Sequence, residues 1–217
     1  MKAGAAELAR RRADMVDHDL ARRGIRDGAV LAVMGEVRRE DFLPPELAEH
    51  AYDDSALPIA ASQTISQPYI VAAMAEAAEL HTEDRVLEIG AGSGYGAAVL
   101  CGLAARVVTV ERHPGLAEMA VANLAAFDDD AVLVVEGDGS VGWPALAPYD
   151  AIVVTAAGPR VPPSLVAQLA DGGRLVMPVG ARDGTQRLVR VRRRGVELDE
   201  EDLGPVAFVP LIGAEGW

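Results

Sequence analysis

Cysteine is almost absent from this chain: Cys101 stands alone among 217 residues. A single thiol excludes an internal disulfide framework and fits a reducing compartment, so a cytoplasmic protein is expected. Aromatic residues are scarce at 4%, so the core must be built mostly from Ala, Val and Leu in a chain that is half apolar. No run of about 20 apolar residues exists, which excludes a membrane-spanning helix. Charge comes early, at Glu7, Arg10, Arg11, Arg12 and Asp14, and leaves no room for an apolar leader. Positive charge is in short supply as well. At a formal net charge of −13, no basic face for nucleic acid is expected. The one dense basic cluster, Arg190, Arg192, Arg193 and Arg194, runs into Glu197, Asp199, Glu200, Glu201 and Asp202. That juxtaposition reads as a solvated strand-and-loop surface. His18, His50, His81 and His113 lie far apart without zinc-ligand spacing, so no metal is expected.

What the chain does have is a glycine loop. Val86, Leu87 and Ile89 form a short apolar run apt for a central parallel strand. Gly90, Gly92 and Gly94 follow it and let the backbone turn tightly and approach a ligand. A helix over about 95–103 would then aim free N–H groups at that ligand. A dinucleotide fingerprint wants a third glycine at position 95, where Tyr95 stands. The Glu-x-Gly-x-Gly-x-Gly pattern from Glu88 to Gly94 instead resembles the first motif of Rossmann-like S-adenosylmethionine-dependent methyltransferases. A nicotinamide site and a plain tight turn stay open at this point.

Taken in order, residues 4–23 predict an amphipathic helix ending at Gly24, and 27–37 a second one. Residues 51–68 look irregular, broken by Pro58 and Pro68. They carry the polar cluster Ser62, Gln63, Thr64, Ser66 and Gln67, in which Ser66 or Gln67 could cap a helix over 68–80. From residue 85 strands and helices alternate. Strands are expected at 86–89, 107–110, 132–135, 151–154, 174–177, 188–191 and 206–209, with helices at 95–103, 114–126 and 163–169. Gly172 and Gly173 are expected to turn into the fifth of these strands. No linker or repeat is visible, so 1–217 is expected to be one doubly wound α/β domain: a helical and active-site segment over 1–80 and a Rossmann-like core over 81–217.

Ligands of such folds lie at the carboxyl ends of the strands. Glu88, Glu111 and Asp138 fall at successive strand ends. They suit S-adenosylmethionine: Glu88 for its cationic amino-acid end, Glu111 for the ribose hydroxyls, Asp138 for the adenine amino group. The end of the fourth strand, Thr155-Ala156-Ala157-Gly158-Pro159, lacks the Pro-Pro-aromatic motif of base methylation. No base or metal is visible for ionising a phenol. A carboxylate acceptor needs neither, because at a pKa of roughly 3.5 to 4 it is already a nucleophile at neutral pH.

From here the likeness becomes specific. Gln63-Thr64-Ile65-Ser66-Gln67-Pro68-Tyr69, the stretch from Val86 to Tyr95, Glu111-Arg112, Gly137-Asp138-Gly139, Gly142-Trp143-Pro144 and Phe208-Val209-Pro210-Leu211 occur in the order of one family. The chain resembles the protein-L-isoaspartate (D-aspartate) O-methyltransferases along nearly its whole length. The resemblance implies a Rossmann-like fold with a mostly parallel seven-stranded sheet. It implies that Ser66 is the active-site serine, contacting the acceptor carboxylate, with Ile65 and Tyr69 also on the substrate side. Gln63, Thr64, Ile65, Glu88, Gly90, Gly92, Gly94, Glu111, Arg112, Asp138 and Gly139 would hold S-adenosylmethionine and its product S-adenosylhomocysteine. The implied partners are isoaspartyl-containing proteins or peptides, whose methyl esters cyclise to a succinimide; no nucleic acid or membrane is implied, and a monomer is expected. A relative that converts one ribosomally made peptide to an aspartimide, and a non-catalytic isoaspartyl-binding module, share the same motifs. Three positions depart from the family: Ser62 for a usual glycine, Ala91 for a common threonine, and Ile212 for a small polar residue.

Overall fold

The computed structural model of the protein describes residues 4–127, 131–182 and 184–217. Its centre is a seven-stranded sheet built around β3 (Arg85–Ile89). Two very short strands precede it, β1 (Leu57–Pro58) and β2 (Thr64–Ile65). After it come β4 (Arg106–Glu111), β5 (Val132–Glu136), β6 (Tyr149–Val154), β7 (Leu169–Gly180), β8 (Gln186–Arg194) and β9 (Glu197–Val206). The sheet order is β5-β4-β3-β6-β7-β8-β9. Pairing is parallel from β5 to β7 and antiparallel from β7 to β9.

β3 is buried beyond Arg85 because β4 and β6 flank its edges and helices cover both faces, which is why Val86, Leu87 and Ile89 are apolar around the single carboxylate of Glu88. Its side chains alternate between two cores. Val86, Ala151 and Val153 belong to one, with α2 (Gly28–Glu36), α3 (Pro68–Ala77), α4 (Tyr95–Cys101) and α5 (Pro114–Leu124). Leu87, Ile89, Ile152 and Val154 belong to the other, with Leu165 of α6 (Pro163–Ala167). Helices on both faces of a mostly parallel sheet make the fold Rossmann-like and doubly wound. No helix among the described residues is long and apolar enough to cross a membrane.

Several expected elements change on inspection of the fold. The first helix is α-helical only over α1 (Ala5–Asp14), then widens to a π-turn at Met15–Leu20 and tightens to a 3₁₀-turn before Gly24. Met15 and Leu20 are both buried. Five residues apart, they would point about 140° from each other on an α-helix, and the wider i→i+5 turn brings them to the same side. The segment 51–68 is not wholly irregular, since β1 and β2 pair as a small antiparallel hairpin. In its loop Ser62 sits at φ 56, the left-handed region that glycine enters without cost. That conformation favours a glycine at this position, and Ser62 adopts it at a steric cost. Gly172 and Gly173 lie within β7 rather than in a turn before it.

The expected last strand at 206–209 is displaced. The true edge strand is β9, the acidic run itself. It has almost no buried face, so no apolar alternation marks it. Its register instead sets Arg190 opposite Glu201, Arg192 opposite Asp199 and Arg194 opposite Glu197. Opposite charges across an antiparallel pair stabilise the ladder, and a charged edge resists pairing with other chains. The basic cluster is therefore one half of a charge-matched hairpin.

Candidate active site

The sheet order reverses between β3 and β6, and a cavity of about 910 Å³ opens there, at the carboxyl ends of β3, β4 and β6. This is where open α/β sheets hold ligands, and the volume is that of a small-molecule site. Its wall has three sides. The glycine loop and the start of α4 form one side, residues 54–56 and 63–67 a second, and residues 205–212 a third.

The glycine loop is tightly buttressed. Gly90 has φ 97, and a Cβ there would collide with the Thr155 hydroxyl. That hydroxyl donates to the carbonyls of Ile89 (3.0 Å) and Gly90 (2.9 Å), so the end of β3 is tied to the end of β6. Glu111, at the end of β4, is buried and accepts from Gly92 N (3.0 Å) and His113 N (2.9 Å). Each carboxylate oxygen keeps a lone pair for a ligand. Gly139 also lines the cavity, and a Cβ on it would strike Ile89.

Glu88 is fully buried in the cavity floor. Its Oε2 accepts from the Thr109 hydroxyl at 2.5 Å, while Oε1 has no partner among the described residues. Burial pushes its pKa up to about 8, the Thr109 hydrogen bond opposes that rise, and nearby Glu111 adds to it. In the unfolded chain the group titrates near 4.5. Between those values the folded protein holds a proton that the unfolded chain has released, so stability falls as pH rises through the window. Glu88→Gln removes this linkage. Its thermal midpoint without ligand should exceed that of the parent at pH 8, with the gap closing toward pH 5; parallel pH profiles would contradict the assignment.

Of the residues singled out in the sequence, Gln63, Thr64, Ile65, Ser66, Glu88, Gly90, Gly92, Glu111, Arg112 and Gly139 all line this one cavity. Tyr69, Gly94 and Asp138 do not. The Tyr69 ring packs under the Arg23 guanidinium, 4.0 Å from its centroid. Gly94 is the left-handed residue before α4 and lies against Leu124. Asp138 turns away to accept from Ser140 N (2.9 Å), the Ser140 hydroxyl (2.7 Å) and Ala214 N (2.7 Å). It thereby pins the C-terminal strap, whose Ile212 lines the cavity.

The helix-capping expectation also changes. Gln67 precedes α3 but makes no side-chain cap, and Ser66 lies one residue further out, in the cavity wall. Asp54, which local pattern did not single out, supplies the cap by accepting from Tyr69 N at 3.2 Å. Arg39 carries no local signal either. It is fully buried, yet it sits in a charged stretch that reads as solvated. The 205–212 wall belongs to an irregular tail that no local signal connects to the site. Among the described residues no cluster of His, Cys, Asp or Glu is placed to hold a metal.

A family model described as protein-L-isoaspartate(D-aspartate) O-methyltransferase matches residues 10–216. Protein-L-isoaspartate O-methyltransferase 1 of Rhodopseudomonas palustris (strain HaA2) is 58% identical over 98% of this chain and 87% of its own length. Its namesake from Geotalea uraniireducens (strain Rf4) is also 58% identical, over 97% of this chain and 96% of its own. Among solved structures, a protein-L-isoaspartate O-methyltransferase superposes with a TM-score of 0.83 at 29% identity, over 94% of this chain and 67% of that one. A second, from Plasmodium falciparum and described as the same enzyme in complex with S-adenosyl-L-homocysteine, gives 0.81 at 25% identity, over 93% and 98%. Joined to the glycine loop and the Thr64–Ser66 wall, a match of this length and identity means that the chain belongs to the protein-L-isoaspartate(D-aspartate) O-methyltransferase family.

Proposed function

We propose that this protein transfers a methyl group from S-adenosylmethionine to the free carboxylate of L-isoaspartyl residues in proteins and peptides. The observation that carries this is one continuous cavity whose wall contains both the glycine cradle and the Gln63–Ser66 segment. The cradle fits the cofactor. It offers closely packed strand-end backbone at Gly90 and Gly139, where Thr155 and Ile89 leave no room for a Cβ, a carboxylate with free lone pairs at Glu111, and an unpartnered buried acid at Glu88. Glu88, Gly90, Gly92, Glu111, Arg112 and Gly139 would hold it, with Glu88 toward the cationic amino-acid end. Gly94 contributes by setting the turn into α4, and Asp138 by holding the strap. When bound, S-adenosylmethionine supplies an electrophilic methyl group on a sulfonium.

The chain's own part is to bind, orient and dry the acceptor. A carboxylate is anionic at neutral pH and needs no general base. Ser66 donates its hydroxyl to that carboxylate and so fixes its direction. Ile65, Phe208 and Ile212 give the apolar wall that excludes water. Residues 1–80 then supply Ser66 and its neighbours on the acceptor side, and 81–217 supply the cofactor cradle and the Phe208 and Ile212 part of the wall. Lone Cys101, half-buried and with its thiol pushed up to about 12 by burial, suits a protein of the reducing cytoplasm.

Ser66→Ala tests the acceptor assignment. Losing one hydrogen bond to a charged group should lower turnover on an isoaspartyl peptide about 10- to 100-fold. Affinity for S-adenosylhomocysteine, measured by calorimetry, should stay within about two-fold because the cradle is untouched. Full turnover in the variant would remove Ser66 from the mechanism.

A further inference from the structure

We propose that Asp54 is the positioning residue of the methyl-acceptor site: its carboxylate fixes the backbone on which Ser66 faces the cavity. The proposal rests on the reading of Ser66 as the acceptor-side hydroxyl.

Asp54 lies in the cavity wall with a side chain 18% exposed. Its Oδ1 accepts from Tyr69 N at 3.2 Å, and its Oδ2 accepts from Gln67 Nε2 at 2.6 Å and from the Arg23 guanidinium. Gln67 Nε2 also donates to the Asp54 main-chain carbonyl at 3.0 Å. One residue therefore gathers the N-terminus of α3, the side chain next to Ser66, and the end of the N-terminal helical segment. Arg23 closes the arrangement by stacking on the Tyr69 ring.

The consequence for Ser66 follows from what surrounds it. On its N-terminal side, Ile65 is buried and paired with Leu57 in the β1–β2 hairpin. On its C-terminal side, Gln67 and Tyr69 are tied to Asp54. Pro68 has no N–H to give, so the Tyr69 amide is the first main-chain donor after Ser66's neighbour, and Asp54 takes it. The Ser66 hydroxyl has no share in these bonds. Its direction is set by two clamps on the adjoining backbone, and one of the two is Asp54.

The loop that carries Asp54 is also anchored toward the cofactor side. Arg39 Nη2 reaches the Ser55 carbonyl at 3.4 Å, and its guanidinium lies 5.0 Å from the centre of the Tyr95 ring. Ser55 and Tyr95 both line the cavity. Residues 54–55 thus bridge the acceptor segment to the helix that follows the glycine loop.

Asp54→Asn separates positioning from plain stabilisation. Oδ1 can still cap α3, but an NH₂ now faces the Gln67 amide and the Arg23 guanidinium, donor against donors. A misplacement of the order of 1 Å can cost about 100-fold in rate, so kcat on an isoaspartyl peptide should fall at least about ten-fold. Affinity for S-adenosylhomocysteine should be unchanged. The paired variant Asp54→Asn with Gln67→Glu restores a donor–acceptor contact in the opposite sense and returns a carboxylate to Arg23. The pair gives up the side-chain bond from position 67 to the main-chain carbonyl of position 54, so it should recover part of the lost kcat, above the level of Asp54→Asn alone. A purely stabilising role would lower the thermal midpoint while leaving kcat intact well below it, and would overturn the proposal. Hydrogen exchange gives a reading independent of methylation. Amides over residues 64–69 should exchange faster in Asp54→Asn while those of β3 and α4 do not change. Unchanged exchange there overturns the proposal whatever the protein methylates. Failure of the parent protein to methylate any isoaspartyl peptide would instead count against the functional reading.

Discussion

Gly90→Ala should lower the affinity for S-adenosylhomocysteine by at least about 100-fold, the equivalent of roughly 2.7 kcal/mol. Two effects add. The residue sits at φ 97, where an L side chain costs on the order of 1–2 kcal/mol. Its new Cβ would also meet the Thr155 hydroxyl. That hydroxyl cannot simply swing aside, because it holds the carbonyls of Ile89 and Gly90. The loop must move instead, and the loop is the cavity wall. Calorimetry with S-adenosylhomocysteine reads the loss. Adding Thr155→Ala relieves the collision but not the backbone strain, so it should recover only part of the affinity. Binding by Gly90→Ala within about three-fold of the parent, under 1 kcal/mol, would show that the loop does not hold the cofactor.

The second large effect lies at the opposite end of the strands. Arg174 of β7 is buried and serves as a hub. Its guanidinium pairs with Asp84 at 2.6 Å and donates to the carbonyls of Ala78 (2.7 Å), Asp150 (3.0 Å) and Glu79. It thus ties the residues after α3 and the turn before β3 to the amino-terminal edge of the sheet. Arg174→Met removes the cation and leaves Asp84 buried, with His81 N among its remaining donors. Breaking a buried pair from one side costs about 3–5 kcal/mol, a large part of the roughly 5–15 kcal/mol that holds a domain folded. Urea unfolding should show that loss as a lower midpoint with an unchanged slope. Adding Asp84→Asn should return part of it, since the orphaned charge goes too. Well below the melting temperature kcat should stay close to the parent's, because the hub lies away from the cavity. A loss under about 1 kcal/mol, the range of an exposed pair, would mean that the hub is solvated.

The contrast between those two sites shows what the sequence could and could not announce. β3, β4 and β6 are apolar runs closed by Gly90, Glu111 and Thr155, so both the strands and the location of a ligand site were readable from local pattern. Glu88 was placed at a strand end, but its full burial and its unpartnered oxygen depend on α4 packing over it, with Gly96 against the carboxyl. Asp138 was placed at the end of its strand as well. Its Oδ1 is turned by a local cap on Ser140, which an Asp-x-Ser spacing permits, but its Oδ2 is held by Ala214, 76 positions later, and no local rule reaches that far. The cap of α3 is beyond local pattern in the same way: it comes from Asp54, 15 residues before the amide from which it accepts. β9 was hidden for a different reason. A strand with no buried face carries no hydrophobic period, and its only signature is the arginines opposite it on β8.

In the proposed reaction one cavity joins a cofactor to an isoaspartyl carboxylate. Methyl transfer from labelled S-adenosylmethionine to two matched short peptides, one isoaspartyl and one with normal aspartate, tests it most directly. Base-labile label on the isoaspartyl peptide alone is the expected result. Label on the normal peptide, or on neither while S-adenosylhomocysteine still binds, would contradict it and turn the search toward a dedicated partner peptide.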